Sequence, residues 1–113
     1  MSFDPGAVER VRAVLFPLAA FEGDDCEEKR MFGSLCFLIG GHISLCVTRD
    51  GLLVRVGRDA MDQALSLRHV TPMEMRGRPM SGFVRVAPGG FATEADLRMW
   101  AERGLVAAKA VGR

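Results

Sequence analysis

The sequence contains little cysteine, and no arrangement of it that would build a metal site or a disulfide framework. Cys26, Cys36 and Cys46 are an odd number of thiols spaced ten residues apart, accompanied by two histidines and no Cys-Xaa-Xaa-Cys pair. We interpret all three as reduced thiols of a reducing compartment, with Cys36 and Cys46 as small, partly buried strand residues. The sequence therefore predicts no metal and no structural disulfide.

Long hydrophobic runs are also absent. The longest charge-free stretch is 31–48, and glycines and His42 interrupt it, which excludes a bilayer-spanning segment. Asp4, Glu9 and Arg10 interrupt any signal-peptide core near the start of the chain. We predict a soluble cytoplasmic protein that has no membrane partner.

Acidic residues are missing from residues 75–92, which contain three arginines, whereas residues 1–30 hold seven acids against four bases. The net charge of +1 demands no anionic partner for the chain as a whole. No glycine-rich phosphate-binding motif is present, so no nucleotide cofactor is predicted. The length of 113 residues predicts one domain over residues 1–113 with its own hydrophobic core.

Hydrophobic periodicity predicts the elements of that domain. Asp4-Pro5 is a helix start, and Pro17 is expected to end or kink this helix near Phe16. The following segment, "EGDDCEEK", is expected to be an acidic loop. Alternating apolar residues and hairpin signals then predict four strands, at 35–39, 43–47, 52–56 and 82–88. A short helix is predicted at 57–67, and a final helix begins after Thr93 and runs past Gly104.

This order, helix-β-β-β-helix-β-helix, predicts an α+β fold in which helices pack on one face of an antiparallel four-stranded sheet. Ile43, Leu45, Val54 and Val84 are expected on the buried face. The other face is mixed in character and therefore partly solvated.

Three motifs in this order resemble the N-terminal domain of the TfoX/Sxy family of bacterial competence regulators. They are Arg30-Met31-Phe32-Gly33, the strand from Gly51 to Val56, and the block from Gly77 to Pro88. The resemblance covers about residues 7 to 105. It implies an α+β fold similar to the MmcQ/YjbR-like fold, and it supplies no catalytic residue.

Two departures from the family pattern limit what the resemblance implies. Full-length competence regulators carry a second, helical domain that has no counterpart in these 113 residues, so activation of competence genes is not carried over. Phe83 stands where tyrosine is common, which removes one hydroxyl from any polar site there.

The best functional candidate is a surface of arginines and methionines. Arginine suits phosphate or carboxylate recognition, and methionine lines adaptable binding surfaces. The leading hypothesis is a non-enzymatic module, resembling the TfoX N-terminal domain, that docks a protein partner or a second copy of itself in a regulatory setting. Its candidate interaction surface comprises Arg55, Met75, Arg76, Arg78, Met80 and Arg85.

Two alternatives remain open. One is a nucleic-acid-associated regulator that uses the arginine-rich face, although Phe32, Phe37, Phe83 and Phe91 are more easily placed in the core than as base-stacking platforms. The other is an enzyme or ligand binder at the mixed face, where His42 and Cys46 could form a nucleophile pair.

Overall fold

The protein is built on one sheet of six antiparallel strands with three helices on one side. The computed structural model describes residues 3–111. Its elements are α1 (Pro5–Phe21), β1 (Cys26–Met31), β2 (Ser34–Ile39), β3 (His42–Val47), β4 (Leu52–Arg55), α2 (Met61–Leu65), β5 (Val70–Met75), β6 (Arg78–Val86) and α3 (Glu94–Ala110). The strand order is β1-β2-β3-β4-β6-β5. The α+β class and the antiparallel sheet are confirmed, but the sheet has six strands rather than the predicted four.

Strand β1 occupies the segment that the sequence predicts to be an acidic loop. It pairs with β2 in unbroken antiparallel register. The charged residues suit an edge strand, because charges along an open edge discourage pairing with another chain. Arg12 on α1 also holds this strand, with its Nε 2.5 Å from Glu28 Oε2 and its Nη2 2.7 Å from Glu28 Oε1. These hydrogen bonds lower the pKa of Glu28.

Strand β5 forms the opposite edge, in a segment for which proline and glycine predict irregular structure. It pairs antiparallel with β6, and the register shifts between Pro72 and Glu74. Pro72 lacks a backbone N–H and is tolerated because β5 is an edge strand. The two-residue turn at Arg76-Gly77 has positive φ at both positions, as a tight hairpin turn requires.

Helix α1 continues through Pro17 to Phe21, so of the two expected effects of Pro17, an end or a kink near Phe16, the end is wrong. The predicted start is confirmed: Asp4 Oδ1 accepts a hydrogen bond from Gly6 N at 2.9 Å, and Pro5 takes the first helical position. Pro17 and Ala13, whose carbonyl loses its helical partner, are both exposed. Water can therefore solvate that carbonyl, and the helix tolerates the proline.

The core lies between the sheet and the helices. Leu45, Val54 and Val84 are register partners across β3, β4 and β6, and each is fully buried. Trp100 of α3 is buried against the same cluster, and its Nε1 donates to Gly90 O at 3.0 Å. The predicted buried face of the sheet is confirmed at these three strand positions.

Helix α3 is one continuous helix, as predicted, and Gly104 lies inside it. A Cβ atom at this position would meet Ser44 O of β3 at 2.8 Å. Glycine therefore allows the helix to approach the sheet backbone closely. Thr93 caps the start of α3 by accepting a hydrogen bond from Asp96 N at 3.1 Å.

Candidate interaction surface

The side of the sheet opposite the helices carries a second apolar cluster, here called the open face. All three helices contribute residues to the cores on the other side, whereas the open-face cluster contains strand residues only. Its members are Met31, Cys36, Leu38, Ile43, Cys46 and Leu53. Direct register pairs connect Cys36 to Cys46 and Cys46 to Leu53, and Met31 belongs to β1, so the cluster crosses four neighbouring strands.

A bulge in β3 places Ile43 on this face. Phe37 pairs with Leu45 and Leu38 pairs with Ile43, which leaves Ser44 as the extra residue between the two pairs. The Ser44 hydroxyl is buried and donates to Phe37 O at 3.0 Å. Because an extra residue reverses the side-chain alternation, the prediction that Ile43 shares a face with Leu45 is wrong.

Basic side chains border the apolar cluster. Arg85 is the register partner of Leu53, and Lys29 is the register partner of Cys36. The Arg55 guanidinium lies 4.5 Å from the centre of the Phe83 ring, and its Nε donates to Ile43 O at 2.6 Å. Burial lowers the pKa of Arg55.

The acids near this border are fewer than the bases. Glu27 is the register partner of Leu38 and is exposed. Asp50 lies in the β3–β4 turn, 3.7 Å from Arg85, where both side chains are largely exposed. Such a pair is weak in water, so Arg85 remains available to a partner. The centre of the open face, formed by Cys36, Leu38 and Cys46, is buried. Its accessible apolar part therefore consists of the half-buried Met31, Ile43 and Leu53, within a border of three bases and two acids.

Phe32 lies in the β1–β2 turn, at one end of this face. Its side chain is 83% exposed, and its backbone is in the left-handed region at φ 55°. Glycine, asparagine and aspartate are the residues favoured at such positions, and a bulky residue there is strained. The neighbouring Met31 packs against the open-face cluster, so Phe32 follows directly in the chain on a residue of that cluster.

Placing Phe32 in the core was wrong. Its position in the sequence carried the relevant signal, since Phe32-Gly33 separates two strand-like segments by two residues, as a tight hairpin turn does. The charged residues before it predict a loop, so local sequence gives no first strand for this hairpin. By contrast, Phe37, Phe83 and Phe91 are buried.

The six residues of the predicted interaction surface lie in two regions of the sheet. Arg55 and Arg85 are on the open face, where β4 pairs with β6. Met75, Arg76 and Arg78 are at the tip of the β5–β6 hairpin, past the last register pair between β6 and β4. Met80 follows in the same projecting part of β6 and is half-buried.

His42 and Cys46 do not form a pair. After the bulge, His42 pairs with Ile39 and lines a cleft with Asp24 and Lys109 on the helix side, whereas Cys46 faces Cys36 on the open face. The alternative in which these two residues form a nucleophile pair is therefore wrong, and the physical cause is the bulge at Ser44, which puts them on opposite sides of the sheet.

A separate cleft of about 720 Å³ lies between α3 and the segment 56–60. Val56, Ala107 and Ala110 give it an apolar floor, and charges of both signs border it. Neither His42 nor Cys46 lines it. No grouping of three or more metal-ligating side chains occurs within residues 3–111. The same residues include no helix with the length and apolar character needed to cross a membrane.

Several arginines are engaged in contacts within the domain. Arg10, Arg30, Arg55 and Arg103 each lie over an aromatic ring, and the residues they cover are Phe91, Phe3, Phe83 and Trp100. Arg12 binds Glu28. These contacts spread the guanidinium groups over both sides of the sheet, so they do not line up as a strip of free charge.

The comparison with protein families gives one match. The model of the TfoX N-terminal domain matches residues 18–108, which include every strand of the sheet. No curated protein and no solved structure matches the chain.

Proposed function

Because the chain belongs to the TfoX N-terminal domain family, we propose that it is a non-enzymatic protein-interaction module with a regulatory role in the cytoplasm. In this proposal the open face and Phe32 together form the docking surface. The partner is a protein that presents an apolar patch bordered by carboxylates. No cofactor takes part, and no membrane is bound.

The observation that carries this proposal is the state of Phe32. A phenylalanine that is 83% exposed contributes little to the core, and its left-handed backbone costs stability. The presence of phenylalanine at a position that is unfavourable in the free domain is explained if its ring enters a pocket of a partner. Aromatic residues are among the commonest anchors of protein interfaces.

The charges around the apolar centre define the chemistry of the partner. Lys29, Arg55 and Arg85 border the open face, against Glu27 and the weakly paired Asp50. Two copies docked through this face would bring like charges together, which opposes self-association. A partner with carboxylates around an apolar centre would instead satisfy both features of the surface.

Nucleic acid is the weaker candidate for the same surface. The border has few bases, and Arg55 is half-buried over Phe83 and bonded to a backbone carbonyl. Phosphate contacts need side chains that can reach a backbone of regular charge. An exposed ring beside an apolar cluster fits a protein surface better than a phosphate strip.

A random peptide library displayed on phage provides a defined probe for this proposal. We expect selection on the wild-type protein to enrich peptides that combine apolar side chains with Asp or Glu. Phe32→Asn and Leu53→Glu should each weaken the binding of selected peptides at least about tenfold, the effect of removing one interface anchor. The matched control is Phe21→Asn, because Phe21 is 90% exposed but lies at the end of α1, in the helix layer.

Four outcomes would contradict the proposal. Peptides without acidic residues, or peptides that bind Phe32→Asn as well as wild type, would show that another surface binds them. A dimer in sedimentation velocity that Phe32→Asn dissociates would make a second copy the occupant. Tight RNA or DNA binding that falls steeply between about 50 and 200 mM salt would favour nucleic acid.

A further inference from the structure

Two cysteines face each other at the centre of the open face. Cys36 on β2 and Cys46 on β3 are direct register partners, and their Sγ atoms are 2.6 Å apart. Both strands are interior to the sheet and are paired on both sides. The sheet backbone therefore fixes the two sulfurs next to each other, which is the arrangement that a cross-strand disulfide requires.

The two thiols are chemically unequal. The Cys46 thiol donates a hydrogen bond to Cys36 Sγ, which lowers the pKa of Cys36 and raises the pKa of Cys46. Because the thiolate is the nucleophile in oxidation chemistry, Cys36 is the sulfur suited to react first. Cys46 is then already in place to react with the product.

The third cysteine provides a contrast within the same chain. Cys26 packs on the helix side of the sheet, away from the other two. Burial and the carboxylates of Glu28 and Glu27 raise the pKa of Cys26 to about 11. A thiol held protonated in this way is a poor first nucleophile at neutral pH, and Cys26 also lies away from the two sulfurs with which it could form a disulfide.

We propose that Cys36 and Cys46 are a redox modification site that a hydroperoxide converts into a reversible intramolecular disulfide. The Cys36 thiolate attacks one peroxide oxygen, which breaks the O–O bond and gives a sulfenic acid and hydroxide; the hydroxide takes up the proton that the Cys36 thiol released and becomes the first water. Cys46 Sγ then attacks Cys36 Sγ, loses its proton and expels a second water. In sum, two thiols and one H₂O₂ give one disulfide and two waters.

Access decides which oxidant fits. Cys36 is 1% exposed and Cys46 is 2% exposed, so a bulky disulfide oxidant would reach either sulfur poorly. A hydroperoxide as small as H₂O₂ needs only local motion of the side chains around the pair. The open-face cluster around them contains no helix residue, so such motion leaves the main core undisturbed.

The test uses the full chain, reduced and then exposed to H₂O₂. We expect the intact mass to fall by about 2 Da and dithiothreitol to restore it. Thiol titration under denaturing conditions should fall from three groups to one, and peptide mapping should find Cys36 joined to Cys46. Cys26→Ser should give the same mass loss at the same rate.

Two single variants separate this chemistry from ordinary oxidation. Cys46→Ser should retain oxygen at Cys36 as a sulfenic or sulfinic acid, with a gain of about 16 or 32 Da and no disulfide. Cys36→Ser should react at least about tenfold more slowly than wild type, because it lacks the reactive thiol. If either variant fails to fold, the mass change and thiol count of the wild-type protein still test the proposal.

A disulfide that includes Cys26, or one that joins two chains, would overturn the proposal. The proposal would also be overturned if the folded protein kept all three thiols at a peroxide concentration that oxidises the urea-unfolded chain. None of these results bears on the docking surface, whose test is peptide binding by the reduced protein.

Discussion

Replacing Phe32 by asparagine should make the free domain more stable, although it removes a large apolar side chain. The left-handed conformation costs a residue such as phenylalanine about 1–2 kcal/mol, and asparagine avoids much of this cost. Full burial of a phenylalanine ring contributes about 1.5–3 kcal/mol. Phe32 is 83% exposed, so its ring supplies only about 0.3–0.5 kcal/mol of that amount. The gain exceeds the loss, and Phe32→Asn should stabilise the domain by about 0.5–1 kcal/mol.

Urea unfolding followed by fluorescence measures this difference. Trp100 is the sole tryptophan of the chain and is 1% exposed, so its emission reports the loss of the core. The midpoint should rise at an unchanged m-value. Phe21→Asn, at an equally exposed phenylalanine on a helix, should leave stability unchanged or slightly lower. A Phe32→Asn variant that is less stable than wild type would show that the ring packs well enough to explain its presence without a partner.

Two further predictions concern how the helices are held against the sheet. Gly104→Ala should destabilise the protein by about 1–2 kcal/mol in urea unfolding, because the cost of overpacking against Ser44 O exceeds the helix-propensity gain of about 1 kcal/mol. The control is Gly6→Ala, whose Cβ has room and which should not destabilise the protein. Glu28→Gln should lower stability at pH 7, since Arg12 lowers the folded pKa of Glu28 and that stabilisation is present above the unfolded value of about 4.3. Unfolding curves from pH 7 to pH 3 should show the deficit disappearing as the pH falls through the folded pKa, and a deficit unchanged at pH 3 would contradict this account.

The predicted elements are those whose apolar residues follow one period. Strands β2, β3, β4 and β6 show this pattern because one side of each faces the main core. Strand β1 does not show this pattern because its side chains are mostly charged. It lies at the edge of the sheet, where pairing with one neighbouring strand is enough to hold it. Strand β5 does not show the pattern because Pro72 predicts a break that an edge position tolerates.

The candidate site is predicted less completely than the fold. Alternation with the buried Val54 and Val84 places Arg55 and Arg85 on the helix-free side of the sheet, and the structure has them there. The apolar character of that side was missed in part, since the bulge at Ser44 transfers Ile43 to it. A bulge adds one residue to a strand but leaves the alternation of apolar residues in the sequence unchanged, so local periodicity does not reveal it.

The two borders of the sheet restrict how anything can attach to it. On β1, charged side chains flank the unpaired backbone, and on β5 a proline interrupts the row of donors. These features disfavour the addition of a peptide strand at either edge. A partner would then be recognised through side-chain contacts rather than through main-chain hydrogen bonds. Single surface substitutions can therefore change which partner binds without changing the fold.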